Sequence, residues 1–122
     1  MGLAARHLEA NGVPTVIMGC AKDIVEHAAA PRFLFSDFPL GNAAGKPHDT
    51  ASQAATLDLA LDLLAHATAA RTTVPSPQRW SDDASWKRDF DNIEILSAAD
   101  LARLRAEHEQ HRAIAHANRG PG

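Results

Sequence analysis

One cysteine, two tryptophans, four phenylalanines and no tyrosine are found in 122 residues. A single cysteine, Cys20, excludes an internal disulfide and makes a cytoplasmic setting the default expectation. Aromatics reach only 5% although 45% of the chain is apolar, much of it alanine. Such a chain fills its core with aliphatic side chains carried on helices, and at this size it can lean on a partner for part of its burial. No apolar run approaches the ~20 residues of a membrane span, and the opening MGLAARHLEANG lacks the long apolar segment of a secretory signal. The net charge is small as well: -3 is too mild to imply a nucleic acid or an acidic membrane surface. Internal repeats and low-complexity tracts are missing, and no motif calls for a cofactor.

What the chain does have is an alternation of helical and apolar extended segments. Residues 2–11, GLAARHLEAN, have helical spacing, with Leu3, Ala4 and Leu8 able to share a face, and Asn11-Gly12 closes the helix. VPTVIMG (13–19) is short, β-branched and unalternating, as suits a strand covered on both faces. CAKDIVEHAA (20–29) reads as a helix, with Ile24, Val25 and Ala28 apolar. Pro31 separates it from RFLFSDF (32–38), a second strand. This order predicts a parallel sheet with right-handed crossovers.

TASQAATLDLALDLLAHATAA (50–70) is the strongest helix. Thr50 and Gln53 fit a capping box, Leu57, Leu61 and Leu64 form a core stripe, and Asp58 and Asp62 mark the wet side. TTVPSPQ breaks regularity with two prolines, and RWSDDASWKRDFDNIEIL resists assignment. SAADLARLRAEHEQHRAIAHA is a final helix capped by Ser97, with Leu96 against Leu101 as a staple. Its apolar edge of Leu101, Leu104 and Ile114 is narrow, so it docks weakly or on another chain. The tail NRGPG is expected to fray. The expected architecture is an α/β core over residues 1–75, a small open parallel sheet with flanking helices like half of a Rossmann fold. A C-terminal arm and helix over 76–122 would serve as an interface.

In open parallel sheets ligands collect beyond the carboxyl ends of the strands. Here MGCAKD ends the first strand and DFPLGNAAGKPHDT the second, so both loops are expected on one rim. Gly19 would bend the chain and put Cys20 at a helix N-terminus, where the helix and Lys22 favour thiolate over thiol. Cys20 is then a nucleophile that alkylates faster than a free thiol; the alternative is a small buried hydrophobe. Gly41, Asn42 and Gly45 would bring backbone N–H and amide groups to a ligand. Lys46 suits a carboxylate or other anion, and His48 a proton donor or polar contact beside Asp49. The same residues equally suit a solvated turn before a helix.

GNAAGK is not a phosphate loop: Gly41 to Gly45 is one residue short, and proline follows the lysine. His108 and His111 in EHEQH have a spacing that can bind a metal, although an exposed polar helix explains them as well. A metal-dependent enzyme using His48, Asp49 and a partner's ligands stays open as a further alternative. Trp80 and Trp86 read as packing of the arm onto the domain or a neighbouring subunit.

The stretch LEANGVPTVIMGCAKDIVEHAAAPRFLFSDFPLGNAAGKPHD resembles the C-terminal part of the selenoprotein B component of glycine, sarcosine and betaine reductases. The resemblance rests on Glu9, Gly12, Pro14, Thr15, Val16 and Cys20, followed by Pro39, Leu40, Gly41 and Asn42, and covers roughly residues 3–65. It implies a reductase whose selenolate or thiolate attacks a substrate carbon, displacing an amine and leaving a selenoether or thioether. It also implies a redox-active selenocysteine or cysteine motif just upstream of the first helix. The sequence in hand carries none, so the nucleophile is expected from Cys20 or from a partner subunit. A non-catalytic, partner-binding subunit or a homo-oligomer is the alternative.

Overall fold

The computed structural model describes residues 1–89 and 96–118. The chain divides into two compact units, residues 1–83 and 84–122. In the first, α1 (Gly2–Ala10) ends at Asn11, and Gly12 follows at φ 80°. That left-handed turn is open to glycine at no steric cost. The buried residue of α1 is Ala5, however, and Leu3 and Leu8 are 74% and 42% exposed. The expected leucine face therefore does not carry the packing. Small residues do, because α1 approaches the neighbouring helix closely: a Cβ on Gly2 would lie 2.6 Å from the Ala28 Cβ.

Three short strands follow, β1 (Ile17–Gly19), β2 (Arg32–Phe35) and β3 (Thr72–Pro75), with α2 (Lys22–His27) between the first two and α3 (Thr50–His66) between the last two. They form an open, fully parallel sheet in the order β1-β2-β3. Ile17 stands beside Phe33 and Gly19 beside Phe35; on the other side Arg32 stands beside Thr72 and Phe35 beside Pro75. The small α/β sheet with flanking helices is thus as expected, but β3 corrects the reading of TTVPSPQ as a break. Thr72 and Ser76 donate to the carbonyls of Pro31 and Phe35 at 3.2 and 2.7 Å. Alternation then turns Pro75 away from β2, where its missing N–H costs no ladder bond.

The two sheet faces carry two cores. Ile17 and Phe33 pack with Ala5 and Ala30, joined by Val25 and Phe35. Leu34 packs with Ala60 and Leu63 of α3, joined by Val16, Met18 and Val74. The buried line of α3 is Ser52, Thr56, Ala60 and Leu63. Leu57 and Leu61 are half exposed and Leu64 is only partly buried, so the expected leucine stripe is not the core line. The cap is also corrected. Asp49 sits at the N-cap and its Oδ1 accepts the Ser52 N–H at 2.9 Å, while Thr50 is the first helical residue. The Gln53 amide donates to the Lys46 carbonyl instead of closing a box with Thr50.

At the amino edge of the sheet, Glu9 Oε1 accepts the Thr15 N–H, the Thr15 hydroxyl and Arg32 Nη1. The Thr15 N–H is the main cause holding this carboxyl below its ordinary value. The Thr15 hydroxyl and the Arg32 guanidinium act the same way, and burial opposes them. One carboxylate thus ties α1 to the approach of β1 and to β2.

The second unit carries α4 (Trp86–Asp89) and α5 (Ala98–Asn118). Ser97 Oγ accepts the Asp100 N–H at 3.1 Å and donates to its carboxylate, so Ser97 caps α5 as the spacing predicts. Leu104 and Ile114 are 44% and 51% exposed. The tail 119–122, expected to fray, and residues 90–95 of the unassigned stretch lie outside the described residues. No described helix is long and apolar enough to cross a membrane.

Candidate functional site

Parallel pairing puts the carboxyl ends of all three strands on one edge. Cys20 leaves β1, the 36–49 segment leaves β2, and Ser76 to Gln78 leave β3. The pairing runs past the strand ends, with Ser36 N–H on the Gly19 carbonyl at 2.9 Å and Ser76 N–H on that of Phe35. Cys20 therefore neighbours the second loop: its sulfur lies within the influence of the backbone N–H groups of Phe38 and Asn42 and of the Asp37 carboxylate. Ser36 is fully buried, and among the described residues its Oγ has no hydrogen-bond partner.

Burial pushes the Cys20 thiol above its ordinary value; the Phe38 and Asn42 N–H groups oppose this and Asp37 adds to it. The direction is opposite to the one expected from the helix start and Lys22. Cys20 precedes a helix of only six residues that begins at Lys22. The Lys22 ammonium lies 6.0 Å from the centroid of the Phe35 ring. Desolvation without a compensating cation favours the neutral form.

Against α3's first turn, a cleft of about 300 Å³ is lined by Lys46, Asp49, Ala51, Ser52, Ala55, Gln78 and Arg79. Its wall is a hydrogen-bonded network. Ser52 Oγ accepts the Lys46 N–H at 3.0 Å and donates to Gln78 Oε1 at 2.6 Å. The Gln78 amide donates to Thr56 Oγ1 at 2.8 Å and to the Ser52 carbonyl. Thr56 Oγ1 in turn donates to the Ser52 carbonyl. Every polar group on the buried side of this turn is thus satisfied, as a helix with Ser and Thr on its inner line requires. The loop comes close because residue 45 is glycine. It holds φ 111°, and a Cβ there would lie 2.8 Å from the Gln53 Cα. Two cationic side chains and one carboxylate give the cleft the means to hold a small molecule bearing opposite charges.

No family model matches this chain, and no curated protein or solved structure matches it either.

The expected site residues thus divide. Lys46 and Asp49 line the cleft. Gly45 shapes it from within the packing. Gly41 and Asn42 build a turn, in which both the backbone N–H and the side-chain amide of Asn42 donate to the Pro39 carbonyl at 3.1 Å. His48 is exposed, at φ 57°, and is not among the lining residues. Gly19 and Cys20 stand at the end of β1. Among the described residues no group of three or more His, Cys, Asp or Glu is placed to hold a metal ion.

Gln78 and Arg79 are not legible as site residues in the sequence, since Gln78 ends the proline-broken TTVPSPQ and Arg79 opens the stretch that resists assignment. The available signal was Ser52 and Thr56 four residues apart on one helix line, which demanded a buried polar partner. Trp80 packs edge-on against Phe38 with centroids 5.4 Å apart, closing the same end of the unit.

Proposed function

We propose that this chain is the small-molecule-binding subunit of a reductase-like enzyme, taking a small carboxylate- or amine-bearing substrate in the rim cleft. The observation that carries it is the meeting of Lys46, Asp49 and Arg79 around the Ser52–Gln78 network at the strand ends. Lys46 and Arg79 hold the carboxylate, and the free lone pairs of Asp49 meet an ammonium. The resemblance to the selenoprotein B component supports the substrate class. The raised Cys20 thiol favours a nucleophile supplied by a partner chain over Cys20 itself.

Isothermal titration with glycine, sarcosine and betaine tests this reading. Each charge-assisted contact contributes about 1.5–3 kcal/mol, and the open cleft sets the lower end. Lys46→Ala and Arg79→Ala should each weaken binding roughly tenfold, while Cys20→Ser leaves affinity unchanged. Absence of binding by all three compounds, or unchanged affinity in both cation variants, removes the reading.

A second reading, a non-catalytic subunit that embraces a partner, draws on α5, which is exposed from Ala102 to His116. It requires a partner that co-purifies with the intact chain and is lost when α5 is deleted.

A further inference from the structure

The two edges of the sheet differ. On β3, Thr72 and Ser76 donate toward β2, so the outward positions are Thr73 and Pro75, and Pro75 has no N–H to offer a further strand. On β1, the Gly19 carbonyl accepts the Ser36 N–H. Gly19 and Ile17 therefore face β2, and the N–H and C=O groups of Val16 and Met18 point away from it. Among the described residues no other strand pairs with them. Neither position carries a charge or a proline, the usual means of blunting an edge.

We propose that the β1 edge pairs with the β1 edge of a second copy of this chain, forming a continuous six-stranded sheet across a two-fold axis at Ile17. Antiparallel pairing of identical strands sets Val16 of one copy opposite Met18 of the other, and each such pair exchanges both of its N–H···O bonds. The edge complements itself, so no other sequence is needed. A stable interface covers about 800 Å² per partner, more than three residues of strand supply. The flanking elements make up the rest. Leu3 on α1 and Ile24 on α2 are 74% and 68% exposed, and Leu8 and Val13 are 42% and 48% exposed. Both helices contribute to the core built on Ile17. The outermost strands of the dimer are then both β3, with Pro75 on the outer edge, so the assembly closes at two copies.

Light scattering on the purified full chain at micromolar concentration should give twice the 13.0 kDa chain mass. Met18→Pro removes an outward N–H and leaves the β2 ladder intact, and should halve that mass with an unchanged circular dichroism spectrum. Thr73→Pro, on the opposite edge, should leave the dimer. Amide hydrogen exchange on the wild type guards against a misfolded variant: the Val16 and Met18 amides should be protected and lose protection on dilution. A wild type that stays monomeric, a dimer that survives in folded Met18→Pro, or unprotected Val16 and Met18 amides in the dimer each overturn the proposal. So does association only with a different polypeptide.

Discussion

Glu9 shows how a residue in a motif can serve the fold. It belongs with Gly12, Pro14 and Thr15 to a stretch from which a ligand-handling role is expected, yet its carboxylate is taken up by hydrogen bonds within the fold. Three donors converge on Oε1, one from the backbone of Thr15, one from its hydroxyl and one from Arg32. The folded carboxyl therefore titrates below its ordinary value. Between the folded and unfolded values the unfolded chain binds more protons, so stability rises with pH across that window. The contribution is complete above the ordinary carboxylate value and is lost as pH falls through the folded one. Urea midpoints across the acid range should show the decline, and Glu9→Gln should flatten it and lower the midpoint at neutral pH. A variant whose profile parallels the wild type would mean that Glu9 does not couple folding to protons.

At the level of elements, α3 was the easiest helix to find and the hardest to orient. Its leucines, Leu57, Leu61 and Leu64, recur at helical spacing, and a hydrophobic pattern alone points them at the core. The buried line runs instead through Ser52, Thr56, Ala60 and Leu63. Small and hydroxylated side chains let the helix settle onto Leu34, and the hydroxyls are satisfied by Gln78, which lies 22 residues beyond Thr56. Local periodicity carries no information about so distant a partner.

The cap of α3 likewise depends on a contact that local spacing does not show. Thr50 and Asp49 are both good N-cap residues, and only the loop that packs Gly45 against Gln53 selects Asp49. That loop is the part of the candidate site most sensitive to a methyl group. Gly45→Ala adds a Cβ within 2.8 Å of the Gln53 backbone, at φ 111°, and should cost about 1–3 kcal/mol of strain. Chemical denaturation reads the cost, and faster exchange of the Lys46 amide should accompany it as its bond to Ser52 loosens. An unchanged midpoint would show that the loop shifts freely and that Gly45 is not what shapes the cleft.

For the molecule as a whole, the helix–strand alternation through residue 38 made the parallel α/β sheet legible, since short unalternating apolar runs between helices leave few other arrangements. The third strand was hidden because Pro75 and Pro77 read as breakers. A proline on the outer edge of an edge strand breaks nothing, but which strand is the edge is a property of the finished sheet. The compact unit runs to Asp83, eight residues past the expected boundary at residue 75. The intervening residues tie back through Ser76 to Phe35, Gln78 to Ser52 and Thr56, and Trp80 to Phe38. Residues 1–83 should thus fold cooperatively alone, and residues 1–75 should not match them. Losing the Gln78 hydrogen bonds and the aromatic pair removes roughly 2–6 kcal/mol, a large part of the stability of a domain this small. Urea unfolding of the two fragments followed by circular dichroism makes the comparison. Equal midpoints would show that the sheet and α3 stand without that segment, and that Gln78 is a lining residue of the cleft with no part in holding it together.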